Sequence, residues 1–386
     1  MTNNNGKARP KVGLILTGGG ARAAYQVGVL RALTEFLPRG ASTPFPIISG
    51  TSAGSINASV LAVDAADFRY GVRRLMTVWK NFHVHHVYRA DMWGTFTNSA
   101  KWIFAAISGG RLRNIPISLL DNSPLAALLT RYVDFAGIQR NIDNGALHAF
   151  SVTCSGYTSG QSVTFYQGQP HLENWQRARR IGVAMPIALE HMLASSALPF
   201  IFPPVKINRE FFGDGSMRQI APVSPALHLG AEKLLVIGVG RQLQPGAERA
   251  RGTAYPSLAQ IAGHALNSIF LDSLEVDLER LQRINRTIEL IPEEIRKSSG
   301  YPLHKVDFRV ITPSEELEKI AAQFAHELPR AIRTLLSSVG GLRASGSNLL
   351  SYLLFEKSYC RALIQLGYKD TMARKDDLLT FLGISV

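Results

Sequence analysis

Three short stretches hold the residues of this 386-residue chain best suited to chemistry: a serine framed by glycines, a run of three glycines, and an aspartate between glycines. The first is Gly50-Thr51-Ser52-Ala53-Gly54. Pro44 to Ser49 before it reads as a short buried strand, and Ile56 to Leu61 after it reads as the start of a helix. A serine at a sharp strand-to-helix turn is the nucleophile-elbow pattern of acyl hydrolases. Gly50 and Gly54 suit such a turn, because its backbone is strained and comes close to neighbouring elements. An ordinary Gly/Ser turn has the same composition, so the motif gains meaning only from its companions.

The second stretch lies upstream. Val12 to Thr17 is an apolar run of strand length, followed by Gly18-Gly19-Gly20-Ala21-Arg22-Ala23-Ala24. Val27, Leu30, Leu33 and Leu37 then recur at helical spacing until Pro38-Arg39-Gly40 stops the helix. Glycines joining a strand to a helix N-terminus gather backbone N–H groups and favour negative charge. Read as G-x-G-x-x-A, Gly18, Gly20 and Ala23 fit a dinucleotide cradle, but that use needs an acidic residue at the end of the second strand. This strand ends in Ser49-Gly50-Thr51-Ser52 instead. The G-x-x-x-x-G-K-[ST] of a P-loop is also lacking. With a nucleophile pattern at the end of the next strand, an oxyanion hole is the better reading.

The third stretch is Gly213-Asp214-Gly215-Ser216, after the expected strand 205–212. An Asp between glycines at a strand end is ordinarily a turn residue bonding its own backbone. It gains weight here because the elbow serine needs a proton acceptor. Taken in order, Gly18 to Ala23, Gly50 to Gly54 and Asp214-Gly215 resemble the three blocks of the patatin-like phospholipase family. The segment Ala194 to Pro204 resembles the family's stretch before its aspartate. The likeness runs from Lys11 to Gly240. Ala23 stands where a glycine is common, and Ser216 where Gly or Ala is more usual.

The resemblance implies a Ser–Asp dyad without histidine. Ser52 would attack an ester carbonyl, Asp214 would take its proton, and the loop Gly18-Gly19-Gly20-Ala21-Arg22 would hold the oxyanion with the amides around Gly19, Gly20 and Ala21. A carboxylate with a reference pKa near 3.9 is a weak base towards an alcohol. The chemistry therefore asks for partial burial of the Asp and for oxyanion donors worth on the order of 3 kcal/mol each. It implies a lipid or ester substrate, with no cofactor and no metal.

Other readings stay open. A general esterase or thioesterase would use the same dyad. A Ser-Asp-His triad in α/β-hydrolase order has His228, His264 and His304 downstream of Asp214 as candidates. A non-catalytic nucleotide- or lipid-binding module is the most distant. His83-Val84-His85-His86 lacks partners at metal-ligand spacing and reads as a solvated helix end. Arg22 reads either as a loop-positioning residue bonded to backbone carbonyls or as a surface arginine.

The elements that must position these groups alternate. Strands are expected at 12–17, 45–49, 147–154, 161–166, 205–212 and 234–239, with helices between them, and 161–166 forming a hairpin with its predecessor. This is an α/β fold: a three-layer α/β/α sandwich on a mostly parallel sheet, covered on both faces. The glycine loop and the elbow would lie at the carboxyl ends of adjacent strands. Residues 11–240 form the expected catalytic domain, and 241–386 a mainly helical region packed on it. In that region helices are expected over Leu258–Leu281, Leu317–Leu335 and Leu349–Leu366, and late strands at Ile288–Ile291 and Phe308–Ile311.

With 46% hydrophobic residues the chain can bury a large core. No apolar run reaches the roughly 18–20 residues of a membrane span, and the polar first ten residues carry no signal-peptide core. Cys154 and Cys360 are expected as buried thiols in a strand and a helix, in a reducing, cytoplasmic setting. The net charge of +13 comes with no nucleic-acid motif and with dispersed arginines. It suits either simple solubility or peripheral docking on anionic membrane. The aromatic stretch 92–107 reads as a cap over the site, an interfacial anchor or a core helix.

Overall fold

The computed structural model describes residues 10–89, 118–241, 255–298, 304–342 and 346–384. The aromatic stretch 92–107 and most of the polar linker after Arg241 lie outside the described residues.

One mostly parallel sheet organises the molecule. Its parallel centre runs β10 (Asp307–Ile311), β9 (Lys233–Ile237), β1 (Val12–Leu16), β2 (Ile47–Thr51) and β3 (Ala149–Gly156). Beyond β3 the order continues through β4 (Ser162–Gly168), β6 (Arg180–Ala184) and β5 (Trp175–Arg177), while β8 (Glu210–Asp214) also pairs with β3 and carries β7 (Val205–Ile207). The β3–β4, β3–β8, β5–β6 and β7–β8 pairs are antiparallel. β1, β2 and β3 are buried along their whole length, as strands covered on both faces must be.

Side-chain alternation divides the core into two layers. From β1 and β9, Val12, Leu14, Leu16, Leu235 and Ile237 join the larger cluster. Ile15, Leu234 and Val236 face the smaller one, where they meet Leu274, Leu278 and Leu281. The larger cluster is covered by α1 (Ala24–Glu35), α2 (Ala53–Val63), α3 (Phe68–Lys80), α4 (Ser123–Tyr132) and the C-terminal helices. The result is the expected α/β/α layering. Among the described residues no helix is long and apolar enough to cross a membrane.

Several local expectations are corrected. Residues 288–291 are not a strand: the helix 273–290 extends through Leu290, because Leu281, Asn285 and Ile288 bury one face at helical spacing. The expected strand 205–212 is a hairpin, turned at Asn208 with φ 53°, a left-handed conformation asparagine tolerates. The helix over 317–335 breaks into 317–323 and 330–338, with Pro329 unable to continue the hydrogen-bond ladder. The helix expected at 349–366 is likewise two, 347–353 and 357–372. The helix expected over 258–281 is 258–267, a π-helical turn at 268–272 and the helix 273–290. β5 and β6 were not anticipated, since Arg177, Arg179 and Arg180 mask the strand pattern.

Residues beyond 240 supply β10 at one edge of the same sheet, and the helix 357–372 packs along α1. Gly28 and Gly367 permit that contact: a Cβ at either would lie 2.0 or 2.2 Å from a backbone oxygen of the other helix.

Candidate active site

Ser52 follows the last residue of β2 and precedes α2, with φ 53° and ψ −133°. That conformation is essentially restricted to glycine and costs a serine on the order of 1–3 kcal/mol. The surroundings hold it. The Ser52 N–H donates to Ser195 Oγ at 2.9 Å, and its carbonyl accepts from Ser55 N and Ser55 Oγ at 2.9 and 2.6 Å. The framing glycines are required by space: a Cβ on Gly54 would lie 2.3 Å from the Leu16 carbonyl oxygen, and one on Gly50 2.5 Å from Ser55 Cα.

Asp214 reaches the same place from the end of β8, held opposite Cys154 of β3. Its N–H donates to the Ala197 carbonyl at 2.9 Å. Ser52 Oγ donates to Asp214 Oδ2 at 2.6 Å, while Ser216 N–H donates to Oδ1 at 2.9 Å. The carboxyl is fully buried. Burial pushes its pKa up to about 6, against the opposing pull of the Ser52 and Ser216 hydrogen bonds.

The glycine loop lies against this pair. β1 and β2 are parallel neighbours, so the loop after one and the elbow after the other share an edge of the sheet. A Cβ on Gly18 would lie 2.6 Å from Ser216 Oγ. Gly20, with φ +55°, is so close to the C-terminal helix 347–353 that a Cβ would lie 2.3 Å from the Tyr352 carbonyl oxygen. Ala21 and Arg22 continue into a short 3₁₀ turn, Gly20–Ala23.

Arg22 is not a surface residue, and its side chain bonds to side-chain oxygens rather than backbone carbonyls. It is 1% exposed, donates to Ser351 Oγ at 2.8 Å and Asn348 Oδ1 at 3.1 Å, and lies 4.0 Å over the Tyr352 ring. It therefore clamps helix 347–353 onto the glycine loop.

Ser195 is a site residue the sequence reading did not single out, although it lay within the recognised segment 194–204. Its Oγ accepts from Ser52 N–H and donates to the Thr153 carbonyl at 2.7 Å, tying elbow, β3 and segment 194–204 together. Thr51 Oγ1 donates to Gln219 Oε1 at 2.7 Å, and Gln219 Nε2 donates to Thr153 Oγ1 at 3.2 Å.

The candidate histidines lie elsewhere. His228 stacks on Trp175 at 4.8 Å, His264 and His304 are exposed, and the Ser52–Asp214 bond is direct. The 83–86 tract follows α3 as a 3₁₀ turn rather than a plain helix end; His83 Nδ1 contacts Glu356 Oε2 at 2.7 Å. Among the described residues no group of three or more His, Cys, Asp or Glu side chains is arranged to hold a metal ion.

Ser52 and Gly20 help to line an apolar cavity. Ile56, Val60, Leu75, Trp79, Leu129 and Phe355 are among its walls. A site of this kind can deliver an activated hydroxyl to a group carried on an apolar tail.

The family model described as patatin-like phospholipase matches residues 14–227. Over 54 residues the chain is 52% identical to "Lysophospholipase nte1" of Aspergillus terreus and 48% identical to "Lysophospholipase NTE1" of Phaeosphaeria nodorum. Those matches cover 14% of this chain and only 3% of each fungal protein. Among solved structures, human GIVD cytosolic phospholipase A2 aligns at 12% identity and a TM-score of 0.43, over 97% of this chain and 60% of that one. VipD from Legionella pneumophila aligns at 13% identity and a TM-score of 0.28, over 94% and 69%.

Proposed function

We propose, from the premise that this chain belongs to the patatin-like phospholipase family, that it is a carboxylic ester hydrolase removing acyl chains from lipids through a Ser52–Asp214 dyad. The observation that carries this reading is the 2.6 Å bond between Ser52 Oγ and Asp214 Oδ2 beside an apolar cavity that Ser52 helps to line.

In the reaction, Ser52 Oγ attacks the ester carbonyl as its proton passes to Asp214 Oδ2. The N–H groups of Gly19, Gly20 and Ala21 receive the oxyanion, each contributing on the order of 3 kcal/mol. The ester C–O bond breaks, and Asp214 returns the proton to the departing alkoxide. Water then gives a proton to Asp214 as its oxygen attacks the acyl-serine. Collapse of that second intermediate frees the acid and returns the proton to Ser52. Burial of Asp214 raises its basicity towards the alcohol, which a solvated aspartate would lack.

Residues 11–240 carry the reacting groups and 241–386 brace them, chiefly through Arg22 and helix 347–353. In this reading the exposed apolar side chains of Tyr157, Phe200, Phe211, Met217 and Ile220, with exposed Lys206, Arg209 and Arg218, form a rim to the site. This rim docks peripherally on anionic membrane and presents lipid to the cavity.

Replacement of Ser52 by Ala and of Asp214 by Asn tests the dyad. Each is expected to lower ester hydrolysis about 10³-fold or more while leaving the far-UV dichroism unchanged, and a fluorophosphonate should label Ser52 in the wild type alone. Near-normal turnover by Asp214→Asn would remove the carboxylate from the mechanism.

A further inference from the structure

The cavity at Ser52 runs along one face of α2. Ser52, Ala53, Ile56 and Val60 all line it, and positions 52, 56 and 60 share a face because four residues make slightly more than one turn. Helix α3 runs antiparallel beside α2. Trp79 Nε1 donates to Asn57 Oδ1 at 2.9 Å, whereas Arg74 Nη1 donates to Asp64 Oδ2 at 2.5 Å. Wall residues Trp79, Leu75 and Arg74 therefore lie progressively farther from Ser52.

The wall changes character where α2 ends. Asp64 follows the last residue of that helix, and Arg74 is the only charged side chain among the described lining residues. Its guanidinium is fixed between the Asp64 carboxylate and the Tyr132 carbonyl. Arg74 and Tyr132 are partly exposed, at 24% side-chain and 40% residue exposure respectively.

We propose that this cavity is a ruler for one unbranched acyl chain, with the Arg74–Tyr132 contact as its stop. The inference rests on the acyl-hydrolase reading above and adds to it a chain length and the residues that set it. From Ser52 to Asp64 the helix advances about 18 Å at 1.5 Å per residue. An extended hydrocarbon gains about 1.25 Å per carbon, given C–C bonds of about 1.5 Å, so the slot accepts roughly 12 to 14 carbons. Every methylene that enters leaves water for an apolar wall, which favours binding. A longer chain meets a paired guanidinium that it must displace, and the gain stops. On the same scale Ile56 and Val60 mark about 6 and 12 Å.

The experiment compares kcat/KM for p-nitrophenyl esters of 4 to 18 carbons across the wild type, Ile56→Trp, Val60→Trp and Arg74→Ala. The wild type should peak at 12 to 14 carbons and fall at least fivefold by 18. Val60→Trp should lower the ratio of tetradecanoate to octanoate turnover at least tenfold, and Ile56→Trp should move the optimum shorter still. Arg74→Ala should raise octadecanoate relative to dodecanoate at least fivefold, and this variant gives an independent arm if a buried tryptophan prevents folding. Length profiles parallel to the wild type, or an unmoved octadecanoate ratio in Arg74→Ala, would overturn the ruler. A wild type that hydrolyses no ester of any length would instead overturn the proposed activity.

Discussion

A serine–carboxylate pair depends on how far burial moves one acid. With its pKa pushed from 3.8 up to about 6, Asp214 is ionised, and so competent as a base, only above that value. The kcat/KM of a neutral ester should accordingly rise through pH 6 and level off by pH 8, tenfold per unit on the acid limb. The same shift has a cost in stability. A folded-state pKa above the unfolded value means that the native chain holds its proton more tightly, so stability present below about pH 4 is lost as the pH rises through 6. Two units correspond to about 3 kcal/mol. Asp214→Asn cannot titrate, so its stability relative to wild type should improve by about 3 kcal/mol between pH 4 and pH 7. Urea titrations of both proteins at the two pH values measure this. A constant difference would mean that Asp214 is not perturbed by the fold.

At the scale of elements, the elbow works because β1, β2 and α2 approach more closely than side chains allow. Gly54→Ala would place a Cβ 2.3 and 2.4 Å from the carbonyl oxygens of Leu16 and Thr17. Both are backbone atoms at the end of a central strand, and the strand cannot retreat without disturbing the glycine loop. The substitution should cost about 2–4 kcal/mol in denaturant unfolding and should lower activity more than its stability loss explains. Much of this element was legible in advance. A buried strand, a glycine-framed serine and an apolar helix start are local signals, and local backbone preference settles them. The Asn208 hairpin and the helical course of 288–290 were not legible, because alternation and β-branching there did not reveal which face the tertiary core would take. Arg22 shows the same limit: sequence marked it, but its partners Ser351 and Asn348 lie more than 320 positions away.

For the molecule as a whole, a charge of +13 combines with the exposed apolar side chains proposed above as a rim to the site. If that rim meets lipid, cosedimentation with phosphatidylglycerol vesicles should fall at least fivefold when NaCl is raised from 0.05 to 0.5 M, as screening shortens the reach of the exposed arginines. Phosphatidylcholine vesicles should retain little protein at either concentration. Equal binding to both vesicle types would assign the charge to solubility alone. The chain beyond residue 240 belongs to the same physical unit as Ser52 and Asp214, since β10 extends the sheet and Tyr352 closes over Gly20.

By itself the sequence determined the class of fold and marked the candidate groups for chemistry, because glycine placement, strand length and hydrophobic period are properties of a few consecutive residues. Tertiary structure alone decided that Ser52 and Asp214, 162 positions apart, meet at 2.6 Å. It also decided that Arg22 is buried, and that side chains of α2, α3 and α4 line one apolar cavity with Ser52. Those outcomes depend on how whole elements pack, and packing joins residues whose separation along the chain carries no trace of their contact.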